Sequence, residues 1–147
     1  MVLGSRITGA IVDGLAGRCQ LYFTDKSVVI VETPRFGFSR LNYLRLAKTG
    51  VIPPDEWDPT EDYSGIIQEI DKRKKNEIPI EQILSIDMVQ PKRGLILKGK
   101  PGLIRLWLTN GRAVDVKIDI EAAGSRFDSM VQLMNTLFPG KVKVTQQ

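Results

Sequence analysis

The stretch Leu103-Ile104-Arg105-Leu106-Trp107-Leu108-Thr109-Asn110-Gly111-Arg112-Ala113-Val114-Asp115-Val116-Lys117-Ile118 decides the fold. Both arms alternate apolar and polar residues, the period of strands that bury one face. Asn110-Gly111 between them is a hairpin signal, and a two-residue type I′ turn is the first choice for it. That register sets Leu106 beside Asp115 and Val116 beside Arg105, mixing core and solvent faces. A one-residue slip sends every side chain of a strand to the other face, and here it repairs the pattern. With Thr109-Asn110-Gly111 as a three-residue loop closed by Leu108 and Arg112, the inner face becomes Ile104, Leu106, Leu108, Val114, Val116 and Ile118. The outer face then pairs Arg105 with Asp115 and Trp107 with Ala113, cross-strand contacts of roughly 0.2–1 kcal/mol each. The expected turn is type I with Gly111 as a left-handed G1 bulge.

Downstream, Ser125 reads as an N-cap with Asp128 three residues on, a capping-box pattern. Phe127, Met130, Val131, Met134, Leu137 and Phe138 fall on one stripe of a helix, and Pro139-Gly140 stops it. At roughly 1.5–3 kcal/mol per large apolar side chain buried, this stripe belongs across the sheet. The two methionines are read as core rather than as an adaptable binding face.

The 147 residues are most simply one domain, large enough to build a core without disulfides or metal. Cys19 is alone and the chain has no histidine. No intrachain disulfide is possible, and His-based triads, His general bases and His metal ligands are excluded. No apolar run reaches membrane-spanning length and the N-terminus lacks a signal-peptide plan, so a cytoplasmic location is expected. The net charge of +4 is unevenly spread. Residues 55–71 carry seven acids and no base, whereas residues 72–112 carry ten bases and three acids.

Upstream, Ile7–Val12, Cys19–Thr24 and Val28–Val31 read as strands of a first meander, which Pro34 ends. Residues 35–77 change character. Ser39 caps a short predicted helix over Leu41, Tyr43, Leu44 and Ala47. Asp58-Pro59-Thr60-Glu61 opens a second, with Tyr63, Ile66, Ile67 and Ile70 as its stripe and Lys72-Arg73-Lys74-Lys75 in its last turn. This segment is read as a helical insertion between strands 3 and 4. The β pattern resumes at Ile78–Ile83 and Leu84–Val89, a turn follows at Pro91–Gly94, and Leu95-Ile96-Leu97 reads as a short strand before Gly99–Gly102. Lys141–Val144 is left open as an extra strand or a frayed tail. The expected class is α+β, mainly β: about seven antiparallel strands in a barrel or sandwich capped by a C-terminal helix.

Three places resemble the pleckstrin-homology-like superfold, particularly its prokaryotic and GRAM-type members. Leu21-Tyr22-Phe23-Thr24-Asp25-Lys26 followed by Val28-Val29-Ile30 resembles those domains' strand ending in Thr-Asn/Asp-Lys/Arg and reversing. Ile78-Pro79-Ile80-Glu81-Gln82-Ile83-Leu84-Ser85-Ile86 resembles their passage into the second sheet, and the Asn-Gly hairpin with the Phe127 helix resembles their close. The resemblance covers about two-thirds of the chain and implies a non-catalytic binding or assembly module, since such domains bind lipids, peptides or other proteins and some only assemble. In lipid-binding members the loop between the first two strands supplies basic residues. Here that loop, Asp13–Arg18, holds one cation and one anion, and the insertion departs from the pattern.

No catalytic constellation and no cofactor or metal motif stands out. The acids Asp55, Glu56, Asp58, Glu61 and Asp62 lack calcium-loop spacing. The insertion is apolar, with Phe38, Leu41, Leu44, Trp57, Tyr63 and Ile67 as candidate contact residues. It either packs back on the sheet or meets a protein partner or a second copy; the leading hypothesis is protein–protein interaction or homodimerisation. The alternative site is Lys92, Arg93, Lys98 and Lys100. These either hold anionic lipid headgroups or simply keep a sheet edge soluble. No aromatics interleave with them, so single-stranded nucleic acid is disfavoured. Neither a small-molecule substrate nor a pathway is named by any spacing.

Overall fold

The computed structural model describes residues 3–13, 17–24, 26–32, 51–52, 71–72, 74–96, 98–120 and 123–147. Strands β1 (Leu3–Asp13), β2 (Gly17–Thr24) and β3 (Ser27–Glu32) form the first antiparallel meander. A two-residue strand, β4 (Val51–Ile52), lies against β1, and β5 (Lys74–Pro79) pairs with β3. A 3₁₀ turn, Ile80–Gln82, leads into β6 (Ile83–Val89), β7 (Gly102–Leu108) and β8 (Ala113–Ile118). Helix α1 (Ser125–Leu137) follows, and β9 (Val142–Thr145) closes the chain alongside β6, in parallel.

The hydrogen-bonded order is β5-β3-β2-β1-β8-β7-β6-β9, with β4 off this path on β1. Among the described residues the fold is therefore mainly β with one helix near its C-terminal end. Among the described residues the path stays open, ending at β5 and β9, and the sheet holds nine strands with β4 included. β1 is shared between the two meanders. Its first half pairs with β4 (Ile7 with Val51), and its second half pairs with β8 (Ile11 with Ile118). Between these halves the register to β2 shifts, since Ile7 faces Leu21 but Ile11 faces Cys19. Thr8-Gly9-Ala10 thus forms a bulge, the device by which a strand bends and twists more sharply.

Both halves of the sheet feed one apolar interior. Leu21, Phe23, Val28, Ile30 and Ile78 come from one half, and Ile83, Ile86, Met88, Ile104, Leu106, Val116 and Ile118 from the other. Helix α1 adds Phe127, Met130, Leu133 and Met134, followed by Phe138 just past its end. The rings of Phe23 and Phe138 meet edge to face, with centroids 6.4 Å apart, a favoured aromatic geometry. Tyr22, Val29 and Val31, on the opposite face of β2–β3, are buried too. This pair is an inner layer on both sides, as the unbroken Val28–Val31 run suits.

The closing hairpin takes the slipped register. Arg105 faces Asp115 and Trp107 faces Ala113. The Leu108 N–H donates to the Arg112 carbonyl at 2.8 Å, the Gly111 N–H to the Leu108 carbonyl at 3.0 Å, and Gly111 has φ of +85°. Ile104, Leu106, Val116 and Ile118 are buried, while Leu108 and Val114 are half-buried nearer the turn. On the outer face the Arg105 guanidinium grips Asp115 with two hydrogen bonds of 2.8 and 2.9 Å and lies 5.5 Å from the Trp107 ring centre. The Trp107 indole N–H donates to Asp87 at 2.8 Å. Hydrogen bonding from Arg105 holds the Asp115 carboxyl below its ordinary range.

Several expectations need correction. Ser125 is the first helical residue and not the cap: Gly124, at φ +92°, turns the chain into the helix one residue earlier, and no side chain caps it. Leu133, absent from the predicted stripe, is buried. Lys74 and Lys75 belong to β5 rather than to a helix end, so the strand pattern resumes before Ile78. Among the described residues of that end, Asp71 and Lys72 are helical. Within the stretch read as a helical insertion, Ile52 of β4 pairs with Arg6 of β1. Residues 80–82 break the predicted Ile78–Ile83 strand as a 3₁₀ corner, tied down by the Ile80 N–H donating to the Lys26 carbonyl. Lys141–Val144 resolves as a strand beginning at Val142. The predicted helices at Ser39 and Asp58 lie outside the described residues.

Gly111 generates a direct test of the hairpin. An added Cβ there would meet nothing within 4 Å, so a substitution costs only the left-handed backbone, about 1–2 kcal/mol. Gly111→Ala is expected to lower the unfolding free energy by about 1 kcal/mol and Gly111→Asn by less, measured by denaturant titration. Equal stability of wild type and Gly111→Ala would contradict the turn.

Candidate functional site

The connection between β6 and β7, residues 90–101, leaves the core and returns as two clamped arms. Lys92 and Lys100 form an isolated antiparallel bridge, each N–H donating to the other's carbonyl at 2.9 and 2.8 Å. Below this bridge the Gln147 side-chain amide donates to the Gln90 carbonyl at 3.0 Å and to the Pro101 carbonyl at 2.9 Å, joining the arms at their base. The Gln90 N–H in turn donates to the Thr145 carbonyl, which seats the base on β9.

Glycine makes the close approach possible. A Cβ on Gly99 would stand 2.1 Å from the Lys92 carbonyl oxygen and 2.8 Å from the Gly94 nitrogen. On Gly102 it would stand 2.3 Å from the Val89 carbonyl oxygen. Both clashes are with backbone, which cannot swing aside as a side chain can.

This clamp brings together all four residues of the predicted anion site. Lys92 and Lys100 are bridge partners, with Arg93 and Lys98 one and two residues nearer the tip, and all four are exposed. Arg93 also holds a partner of its own within the structure. Lys92 and Arg93 line a polar cleft of about 470 Å³ together with Gln90, Gly124, Gln146 and Gln147. No acid occurs between Gln90 and Gly102, so the described projection carries charge of one sign.

The tip differs from the expectation. The sequence pattern predicts a short strand over Leu95-Ile96-Leu97, but Leu95 and Ile96 form a bend with no ladder partner. Leu95 is 102% and Ile96 97% exposed. The signal was present in the sequence: an apolar run with no alternation needs cover on both faces, and glycines and lysines bracket this one.

The predicted partner-binding residues Phe38, Leu41, Leu44, Trp57, Tyr63 and Ile67 lie outside the described residues, as do the acids at 55–62. Among the described residues no helix is long and apolar enough to cross a membrane. Comparison of the chain with protein-family models, with curated proteins and with solved structures finds no match.

Gly99→Ala tests the clamp. The variant is expected to speed amide exchange at Lys92 and Lys100 while β7 and β8 keep their protection, because the clash is confined to the loop. Unchanged exchange at both lysines would show that the arms are not pressed together.

Proposed function

We propose that the chain is a non-catalytic binding module of the pleckstrin-homology-like kind. Its contact surface is the cationic projection at residues 90–101, and its target is the anionic headgroup layer of a membrane. The superfold reading is supported by the strand order, in which β1 joins two meanders and a helix follows the last hairpin. The contact reading rests on one observation: the backbone clamp holds Lys92, Arg93, Lys98 and Lys100 together on a projecting loop that contains no acid.

The physics favours a surface over a single bound anion. All four cations are solvated and stand on both arms, a spread that suits many headgroups more than one enclosed phosphate. Each cation near an anionic leaflet contributes about 1 kcal/mol, and this attraction fades within a Debye length of about 8 Å at physiological salt. Lys92, Lys98 and Lys100 together amount to about 3 kcal/mol, and Arg93, which also holds a partner within the structure, adds to them, enough for reversible recruitment. The β1–β2 loop, which serves lipid-binding members of the superfold, is poor in cations here. The β6–β7 connection takes over that role.

Sedimentation with vesicles provides the test. The protein is expected to bind phosphatidylglycerol-containing vesicles, to leave phosphatidylcholine vesicles unbound, and to dissociate as salt rises. Changing Lys92, Arg93, Lys98 and Lys100 together to Gln is expected to weaken binding by roughly two to three orders of magnitude. Equal binding of the quadruple variant and the wild type would overturn the assignment of the surface.

A further inference from the structure

We infer that Leu95 and Ile96 form a membrane-inserting tip, passing below the headgroups of an anionic bilayer while Lys92, Arg93, Lys98 and Lys100 remain at the phosphate level. The inference rests on the headgroup-binding reading above and adds to it a second, non-electrostatic attachment.

The observation behind it is an exposure that nothing in the fold requires. Leu95 and Ile96 are fully open to water, whereas the next most exposed large apolar residue among those described, Leu84, stands at 62%. The Lys92–Lys100 bridge and the close backbone contact at Gly99 join the arms beneath the pair, and both side chains stand in solvent beyond that bridge. Lys92 lies three residues before Leu95, a reach of at most about 10 Å. That distance matches the 5–10 Å to which interfacial apolar side chains penetrate. It is also short enough to keep the clamped backbone out of the hydrocarbon, where unpaired amides would be costly.

Chemistry selects the occupant. A bilayer of anionic lipid presents negative charge at its surface and apolar chains just beneath, the same order that the projection presents in reverse. A protein partner would need an acidic rim around an apolar pocket. The tip is also only two described side chains wide, far below the roughly 800 Å² per partner of a stable protein contact.

The experiment uses Leu95→Trp on the full chain with vesicles whose acyl chains are brominated, taking the wild type, with its own Trp57 and Trp107, as background. Insertion predicts quenching in Leu95→Trp beyond that of the wild type. A second variant, Leu95→Ser with Ile96→Ser, is expected to fold normally because both positions are solvated. It should keep low-salt binding to anionic vesicles and lose binding at raised salt by about tenfold or more. Vesicle binding with no added quenching would overturn insertion and leave the headgroup reading standing. Absence of vesicle binding by the wild type would remove both. A solution dimer abolished by the double serine variant would overturn insertion in favour of a protein contact.

Discussion

The structure depends on one constraint: the apolar stripe of α1 must find cover, and the curved sheet must find a lid, in the same place. A flat sheet of these strands would leave either its inner face or the helix in water. The bulge at Thr8-Gly9-Ala10 lets β1 serve both meanders, so that Leu21 and Phe23 share an interior with Leu106 and Ile118. Phe127, Met130 and Met134 then seal that interior, and Phe138 meets Phe23 at its edge. Removing a large side chain from such a core typically costs about 3–5 kcal/mol, a large share of the total stability of a domain of this size.

The corners of the sheet are held by polar contacts in keeping with that interior. At the β2–β3 turn the buried Thr24 hydroxyl accepts from the Ser27 N–H at 2.9 Å, and the Ser27 hydroxyl donates to Glu77 at 3.0 Å. Hydroxyls so deeply placed would destabilise the turn if left unpaired. At the other end the Lys141 ammonium donates to the Ile83 carbonyl at 3.0 Å, where β6 bulges and exposes Leu84. The projection at 90–101 leaves from the opposite end of β6, where the Gln147 amide joins the Gln90 and Pro101 carbonyls and the Gln90 N–H donates to the Thr145 carbonyl. β6 and β7 are each paired on both sides, and their connection lies outside these ladders, closed on itself by the Lys92–Lys100 bridge.

Much of this was legible in the chain because side-chain alternation and glycine chemistry speak directly to geometry. Placing polar Arg105 and Asp115 on one face allowed only one hairpin register, and Gly111 supplied its left-handed residue. The helix stripe was equally plain from the spacing of Phe127, Met130 and Met134. What escaped was set by longer-range contacts. Gly124 captured the helix start because its positive φ reverses the chain before Ser125 can act as a cap. Lys74 and Lys75 look like a helix end until β3 is available to pair with Lys74 and Asn76 on either side of Lys75, and Val51–Ile52 is too short to signal a strand without β1 beside it. At the candidate site, the four cations were apparent from composition. The clamp that gathers them was not, because the close approach of Gly99 to Lys92 and the reach of Gln147 to Gln90 and Pro101 join positions that no local pattern connects.

Both halves of the sheet and the helix share a single interior, and native-state hydrogen exchange on Phe127→Ala reads out that sharing. A shared interior predicts that amides of β2–β3 and of β6–β8 lose protection together and by similar amounts. Loosening confined to one of these groups, with the other as protected as in the wild type, would contradict it.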